Sequence, residues 1–212
     1  MPQKRKTSTR HRRRRKNQNQ PIYIIIAVVA VLLVGLFSFQ QYQKQKQEDA
    51  TEQVKEEKNE FIKKVAPEAV ALGHEYGVLP SITIGQAILE SDWGNSTLAS
   101  KYNNYFGIKG TDPNNTVVLE TKEYTNGQWQ TINGRFRSYS DFRESMKDHA
   151  KLLVNGTSWN SSQYQQVIGS QDYIEAAVAL QTDGYATDPG YTTKIIRLIQ
   201  KYDLKKYDEG IK

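Results

Sequence analysis

Residues 86–110 read QAILESDWGNSTLASKYNNYFGIKG, and this stretch decides how the rest of the chain is interpreted. A short apolar helix carries one glutamate, Glu90, near its end. A Trp-Gly break, a polar turn and an aromatic Asn-Tyr-Phe-Gly segment follow. A carboxyl group held beside apolar and aromatic neighbours resists ionisation, so Glu90 is a candidate proton donor near neutral pH.

Polar side chains form a line along the helix that carries Glu90. Thr83, Gln86 and Glu90 lie three and four positions apart, which places them on one face of an otherwise apolar helix. Trp93 follows Glu90 by three positions and is predicted to stand beside it. Spacing alone leaves two interpretations of Glu90, a proton donor on the floor of a cleft or a solvated glutamate at the exposed edge of the helix.

The residues around this helix predict an α+β fold that is mainly α-helical. Apolar residues at spacings of three and four predict a helix from near residue 61, and a second helix that Pro80 starts and Gly94 ends. Between residues 117 and 139, runs of Thr, Tyr, Val and Trp surround two Asn-Gly pairs, which favours a small antiparallel hairpin lobe. Further helices are expected at about residues 141–154, 173–182 and 189–202. Asp188 and Pro189 are interpreted as the N-cap and first residue of the last of these helices.

The chain before this domain contains an uncharged apolar run at residues 22–39, IYIIIAVVAVLLVGLFSF. A helix of this length would span ~27 Å, close to the hydrocarbon thickness of a bilayer. No small-residue cleavage site follows it, so a transmembrane signal-anchor is favoured over a cleaved signal peptide. The predicted segments are a basic cytoplasmic tail at 1–20, the anchor at 21–40, a polar helical or disordered stalk at 41–60, the domain at 61–205 and a C-terminal tail at 206–212.

Composition limits the chemistry that the domain performs. The formal net charge is +6, but nine of the 29 basic residues lie in the first 16 positions, and no acidic residue precedes Glu48. Without these nine, 20 basic residues remain against 23 acidic ones, so the excess of positive charge lies in a tail and not on a folded face, and no nucleic-acid partner is expected. Cysteine is absent, which excludes disulfides and thiol nucleophiles, and the three histidines show no metal-ligand spacing. Neither a metal nor an organic cofactor is expected.

Residues 86–110 resemble the signature of the bacterial glucosaminidases, the peptidoglycan hydrolases of glycoside hydrolase family 73. The similarity extends over nearly all of residues 61–203 and includes the late GYATDP segment. Asp92 departs from it, since a small residue is common there. The resemblance implies a lysozyme-like fold, in which a helical lobe and a β-hairpin lobe enclose a glycan groove. The matching positions are Ala87, Glu90, Ser91, Trp93, Gly94, Ser96, Leu98, Ala99, Asn104, Phe106, Gly107, Ile108 and Lys109.

The same resemblance implies roles for individual residues. Glu90 matches the family's general acid, and Glu123 matches its second carboxylate. Residues three apart in a regular strand point to opposite faces, so one of Glu120 and Glu123 is expected to be a surface charge, and the match favours Glu123 as the site residue. Tyr185 resembles a tyrosine that lines the site near the reacting sugar. The expected substrate contacts are Trp93, Asn104, Tyr105, Phe106, Tyr124, Trp129 and Tyr191.

The function expected from this resemblance is endo-hydrolysis of the β-1,4 bond between N-acetylglucosamine and N-acetylmuramic acid. The partners would be peptidoglycan strands and the cytoplasmic membrane, with the N-terminus in the cytoplasm and the domain on the wall side. The oligomeric state is left open. The alternatives are a muramidase or lytic transglycosylase on a similar fold, and a membrane-anchored wall-binding protein without activity.

Overall fold

The computed structural model describes residues 20–125 and 127–211. These residues form two units, and the boundary between the units falls between Val54 and Lys55. The second unit holds a helical core and one two-stranded sheet. The elements are α1 (Gln20–Tyr76), α2 (Pro80–Ser91), α3 (Thr97–Tyr102), β1 (Thr116–Thr125), β2 (Gln128–Arg137), α4 (Phe142–Asn155), α5 (Gln165–Gly169), α6 (Tyr173–Thr182) and α7 (Tyr191–Lys201).

Helix α1 is 57 residues long and changes character along its length. The large apolar side chains described at residues 22–39 are exposed, and the polar residues 41–57 that follow are exposed as well. From Phe61 onwards one face is buried, with Val65, Ala69 and Leu72 in the core. Within residues 20–125 and 127–211, no helix has both the length and the apolar character needed to cross a membrane. The basic tail predicted for residues 1–20 lies outside the described residues, apart from Gln20.

Helix α2 is almost entirely buried, as its apolar sequence predicts. It packs against α6, α7 and the 3₁₀ turn Leu204–Asp208. A Cβ atom added to Gly85 would lie 3.5 Å from the Ile199 side chain, so α2 and α7 approach closely at this glycine. The helix starts at Pro80 as predicted, but it ends at Ser91, before Gly94. The earlier end arises because the next two residues, Asp92 and Trp93, adopt positive φ angles of 49° and 59°.

The predicted hairpin lobe is confirmed, although only one of the two Asn-Gly pairs makes its turn. Strands β1 and β2 pair antiparallel, and the last pair, Thr125 with Gln128, leaves positions 126 and 127 as the turn. Asn126 itself lies outside the described residues. The second Asn-Gly pair, at residues 133–134, lies inside β2. A Cβ atom at Gly134 would come within 2.7 Å of the Phe136 ring, so glycine there makes room for the aromatic side chain.

The remaining helices follow the sequence predictions closely, with one shift. Helix α4 begins after Asp141, whose carboxylate accepts a 2.8 Å hydrogen bond from the backbone N–H of Arg143. Helix α6 has the predicted bounds. Helix α7 starts at Tyr191, two residues later than expected, and Asp188 lies before the helix and accepts a hydrogen bond from the backbone N–H of Gly190.

Residues 206–211, expected to be a tail, pack against the domain. The Asp208 carboxylate accepts 2.8 Å and 2.7 Å hydrogen bonds from the backbone N–H and the hydroxyl of Ser81. Leu79, the residue before α2, provides no side-chain cap, so Asp208 satisfies a donor at the start of that helix instead. Ile211 is buried, and its side chain lies 3.1 Å from the position that a Cβ on Gly73 would occupy.

Candidate active site

A chain of hydrogen bonds leads from the interior of α2 to Glu90. Gln86 is fully buried, and its Nε2 donates a 3.0 Å hydrogen bond to the hydroxyl oxygen of Tyr191 on α7. Tyr191 in turn donates a 2.6 Å hydrogen bond to Oε1 of Glu90. A tyrosine hydroxyl has one proton, and Gln86 supplies the hydrogen bond that the Tyr191 oxygen accepts. The Tyr191 proton is therefore directed at the carboxyl group of Glu90.

The surroundings of Glu90 favour its protonated form. Burial raises the pKa of Glu90 above its ordinary value, and the nearby charge of Asp188 acts in the same direction. The hydrogen bond from Tyr191 and the positive charge of Lys194 oppose this rise without cancelling it. Glu90 therefore retains its proton to a higher pH than an exposed glutamate, which is the property a general acid needs.

Tyr185 lies beside Tyr191, with 6.0 Å between the ring centroids. Burial raises the pKa of both hydroxyls well above the ordinary value, and the charge of Glu90 raises both further. Both groups consequently stay protonated at neutral pH. Within the part of the chain that the structure describes, the Tyr185 hydroxyl makes no hydrogen bond, and its role beside the reacting sugar stays a prediction. Three of the predicted site residues, Glu90, Tyr185 and Tyr191, are thus brought together.

Phe106 lies next to this site and is connected to Tyr185 through His149. It is buried and stacks on the imidazole of His149, with ring centroids 4.0 Å apart. The imidazole meets the Tyr185 ring edge-to-face at 5.7 Å. Complete burial lowers the pKa of His149 to about 3, so the ring is neutral near pH 7. Phe106 therefore acts here as packing beneath Tyr185, and its expected contact with sugar stays a prediction.

Asn104 has a role in the fold. Its amide donates hydrogen bonds of 2.9 Å to the carbonyl oxygens of Ile108 and Arg137. Its side-chain oxygen accepts from the backbone N–H groups of Phe106 and Ile108. With 1% of its surface exposed, Asn104 holds the loop after α3 onto the hairpin. The expected contact between Asn104 and substrate receives no support from this position.

Tyr105 and Trp93 belong to an aromatic cluster on α1. The buried Tyr105 ring stacks between Phe61 and Phe142, at centroid distances of 5.8 Å and 5.5 Å. Trp93 meets Phe61 and Tyr202 edge-to-face at 5.9 Å and 4.8 Å. The prediction that Trp93 stands beside Glu90 assumed a continuous helix, and α2 ends before that spacing is completed. Trp93 is half-buried, and its contact with sugar stays a prediction.

The hairpin presents a second pair of aromatic residues near its turn. Tyr124 and Trp129 are cross-strand partners whose rings meet at 5.3 Å, and Trp129 is 56% exposed. Position 123 pairs with Gln130 in the unbroken register of β1, so positions 120 and 123 belong to opposite faces of the strand. The side chain of Glu123 lies outside the described residues, and its role as the second carboxylate stays a prediction.

Two residues of the site were not predicted from the sequence. Gln86 lies four residues before Glu90, and this spacing was a usable signal because it puts both side chains on one helix face. His149 lies far away in the chain, and nothing in its neighbourhood indicates contact with Tyr185. Among the residues that the structure describes, no three His, Asp or Glu side chains gather in a way that would hold a metal ion.

Known proteins resemble this chain over most of its second unit. Residues 66–204 match the glucosaminidase family model, described as mannosyl-glycoprotein endo-beta-N-acetylglucosaminidase. The chain is 54% identical over 159 residues to the exo-glucosaminidase LytG of Bacillus subtilis (strain 168), covering 75% of this chain and 56% of LytG. It is 39% identical over 150 residues to a probable N-acetylmuramidase of Lactococcus lactis subsp. lactis (strain IL1403), covering 70% of this chain and 34% of that protein.

A solved structure is similar over most of its length. The catalytic domain of the autolysin Auto from Listeria monocytogenes has a TM-score of 0.65 and 39% sequence identity to this chain, covering 72% of this chain and 88% of that domain. The lysozyme-like arrangement, mainly helical with a small antiparallel sheet, is therefore shared. The chain belongs to the glucosaminidase family of glycoside hydrolases.

Proposed function

We propose that this chain hydrolyses peptidoglycan, cleaving the β-1,4 bond between N-acetylglucosamine and N-acetylmuramic acid. The observation that carries the proposal is the carboxyl group of Glu90, which is half-buried, has a raised pKa and receives the Tyr191 hydrogen bond at one oxygen. Family membership supports the glycosidase chemistry, and the relatives LytG and Auto are an exo-glucosaminidase and an autolysin.

In the first chemical step, Glu90 acts as the general acid. Tyr191 donates to Oε1, so the acidic proton is held on Oε2 and is transferred from there to the glycosidic oxygen. The C–O bond to the leaving sugar breaks as that oxygen accepts the proton, and positive charge develops at the anomeric carbon. Glu90 becomes a carboxylate, which Tyr191 and the positive charge of Lys194 then stabilise.

Two routes complete the reaction. In one, Glu123 accepts a proton from the water that attacks the anomeric carbon. In the other, the acetamido oxygen of the substrate attacks the anomeric carbon and forms an oxazolinium ion, assisted by the hydroxyl of Tyr185. Water then opens this ion, and the Glu90 carboxylate accepts the proton of that water. The position of Tyr185 beside Tyr191 supports the second route, and the match of Glu123 to the family's second carboxylate supports the first. Glu123→Gln separates them, because substrate-assisted cleavage would survive this change.

The bond and the cleavage mode are open to direct measurement. The proposed mode is cleavage within the glycan strand, whereas LytG is an exo-glucosaminidase. The probable N-acetylmuramidase of Lactococcus favours a second candidate, a muramidase that cuts the other β-1,4 linkage. An endo-enzyme shortens long strands early in digestion, whereas an exo-enzyme releases small fragments from the ends.

The test digests purified peptidoglycan with the full chain and with Glu90→Gln. Fragments are reduced and identified by mass spectrometry. Wild type is expected to give reduced glucosamine ends, and Glu90→Gln is expected to be about 10²- to 10⁴-fold slower because a general acid contributes about that factor. Reduced or anhydro muramic ends would replace this proposal by a muramidase or a lytic transglycosylase. Binding without any cleavage would support the wall-binding alternative.

We further propose that residues 22–39 anchor the domain to the outer face of the cytoplasmic membrane. The support comes from the uncharged sequence of these 18 residues, from the basic segment before them and from the exposed apolar side chains described in this part of α1. The full chain expressed in a bacterium should stay in the membrane pellet after alkaline carbonate washing, with the domain accessible to external protease. Release by carbonate would contradict an anchor that spans the bilayer.

A further inference from the structure

Trp159 lies at the tip of a tight turn after α4, where its indole ring faces solvent. Its exposed fraction is 81%, the highest among the large apolar side chains of the described residues. A single exposed apolar side chain is ordinary on a protein surface. The position and rigidity of the turn are what distinguish Trp159.

The turn is closed by hydrogen bonds that hold its tip in place. Thr157 and Asn160 exchange backbone hydrogen bonds of 2.9 Å and 3.2 Å, which leaves Ser158 and Trp159 as the two residues of the tip. Gly156 precedes them with φ +67°, and a Cβ atom there would lie 2.2 Å from the carbonyl oxygen of Asn160. The backbone therefore folds tightly onto Gly156, and the indole is presented from a fixed base.

Gln163 joins this turn to the segment that carries Tyr185. Its side-chain oxygen accepts a 2.7 Å hydrogen bond from the Thr157 hydroxyl, and its Nε2 donates a 2.9 Å hydrogen bond to the carbonyl oxygen of Asp183. The next residue, Tyr164, places its ring 5.9 Å from the ring of Tyr185. Gln163 and Tyr164 therefore connect the turn to the segment that carries Tyr185.

The chemistry of the turn suits a sugar ring. Trp159 lies four residues from Gln163, so their Cα atoms are within ~14 Å of each other. Gln163 itself contacts the backbone of Asp183, two residues before Tyr185, and a glycan strand bound at several sugar positions extends away from Tyr185 over distances of this order. Residues 152–171 contain no charged side chain, whereas hydroxyl and amide groups are frequent there. An uncharged surface with hydrogen-bonding groups and a flat indole matches an N-acetylhexosamine better than it matches a charged stem peptide.

We propose that Trp159 stacks on a sugar of the glycan strand away from the cleaved bond and so forms an additional sugar subsite. This inference rests on the proposed function, because it assumes that a glycan strand runs past Glu90. The interaction acts on substrate binding and not on proton transfer. It therefore affects long strands and leaves the shortest cleavable glycan unaffected.

The experiment compares the full chain with Trp159→Ala and Trp159→Phe, using Ile174→Ala as the control. Ile174 is an apolar residue of α6 that is 45% exposed and takes no part in the site. The substrates are glycan strands stripped of stem peptides by an amidase, and the shortest glycan that wild type cleaves. Trp159→Ala should raise KM for the long strands by about 2- to 12-fold, the range of one aromatic stacking contact. Trp159→Phe should raise KM for the long strands by a smaller factor. For both Trp159 variants, kcat, the pH profile of kcat and the kinetics on the short glycan should match wild type.

A second measurement separates failure of the subsite from failure of the proposed function. Each change is combined with Glu90→Gln, and binding of these chains to the same stripped strands is measured. Equal KM and equal binding for Trp159→Ala and wild type would overturn the subsite while leaving the hydrolase intact. Weaker binding only to peptidoglycan that retains its stem peptides would assign Trp159 to the peptide and overturn the sugar contact. If wild type cleaves no glycan, the proposed function fails, and weaker binding by Trp159→Ala would still establish the sugar contact.

Discussion

Tyr191 acts on Glu90 through the single proton of its hydroxyl group. The hydrogen bond from Tyr191 lowers the pKa of Glu90, while burial raises it more strongly. Tyr191→Phe removes the lowering influence, so the pKa of Glu90 should rise further. The alkaline limb of the kcat/KM profile reports loss of the acidic proton, and we expect it to move to higher pH. At acidic pH the rate should fall by less than about tenfold, since one such hydrogen bond contributes about 1 kcal/mol.

The matched control for this change is Tyr105→Phe. Tyr105 is also buried, and its hydroxyl accepts a hydrogen bond from Lys64, but it lies in the aromatic cluster on α1. Its pH profile should coincide with that of wild type. If Tyr191→Phe left the alkaline limb unchanged, or moved it to lower pH, the hydrogen bond would not be tuning the acid.

At the residue scale, the sequence predicted which side chains share one face of a helix. Gln86 and Glu90 lie on one face of α2 as their spacing requires, and both belong to the same hydrogen-bonded chain. The break after Ser91 was not predicted, because the positive φ angles of Asp92 and Trp93 are not encoded in the apolar periodicity, and the position of Trp93 beside Glu90 stays a prediction. The contact between His149 and Tyr185 joins residues 36 positions apart, and only the packing of α4 against the late loop creates it.

At the scale of elements, the start of α2 depends on a side chain from the far end of the domain. Asp208→Ala removes both hydrogen bonds to Ser81 and leaves a donor of the first turn without its partner. We expect a loss of about 1–2 kcal/mol in the free energy of unfolding, similar to the loss of a helix cap. Urea unfolding followed by circular dichroism measures this difference.

Glu209→Ala is the control for Asp208→Ala, since it removes the neighbouring exposed carboxylate without touching Ser81. It should change the free energy of unfolding by no more than ~0.5 kcal/mol. Ser81→Ala combined with Asp208→Ala should cost less than the sum of the two single changes, because both disrupt the same contact. Strictly additive losses would show that Asp208 stabilises the domain in another way.

The elements themselves were largely predictable. Apolar periodicity located the helices, and the Asn-Gly pair at residues 126–127 located the hairpin. Local preference alone predicts a turn at the second Asn-Gly pair as well. This pair lies in a strand instead, because the Phe136 ring requires a glycine at position 134. The start of α7 was predicted two residues too early because Asp188 does not cap the helix. Asp188 lies before α7, where it accepts a hydrogen bond from the backbone N–H of Gly190 and forms an ion pair with Lys194.

At the scale of the whole molecule, His149 makes stability depend on pH. In the unfolded chain a histidine takes up a proton below about pH 6.5, whereas burial lowers the pKa of His149 in the folded protein to about 3. Between these values unfolding takes up a proton, so stability falls as the pH is lowered. The expected loss reaches about 1.4 kcal/mol for each pH unit within that window.

His149→Leu removes this dependence while keeping an apolar contact for Phe106. Urea unfolding of both proteins between pH 7 and pH 4 should show wild type losing stability relative to the variant as the pH falls. The absolute stability of the variant at pH 7 does not enter this comparison, because only the difference in slope is used. Parallel pH dependences would mean that His149 exchanges protons with solvent while the protein is folded.

Asp208 also shows that sequence similarity and folding can assign different limits to the same domain. The family match ends at residue 204, but the carboxylate four positions later holds the first turn of the helix that carries Glu90. An expression fragment trimmed to the family boundary would keep every residue of the active site and lose the contact that secures its main helix. Truncations of this protein are therefore best made after Ile211, and fusion tags or homologous domains are best joined there.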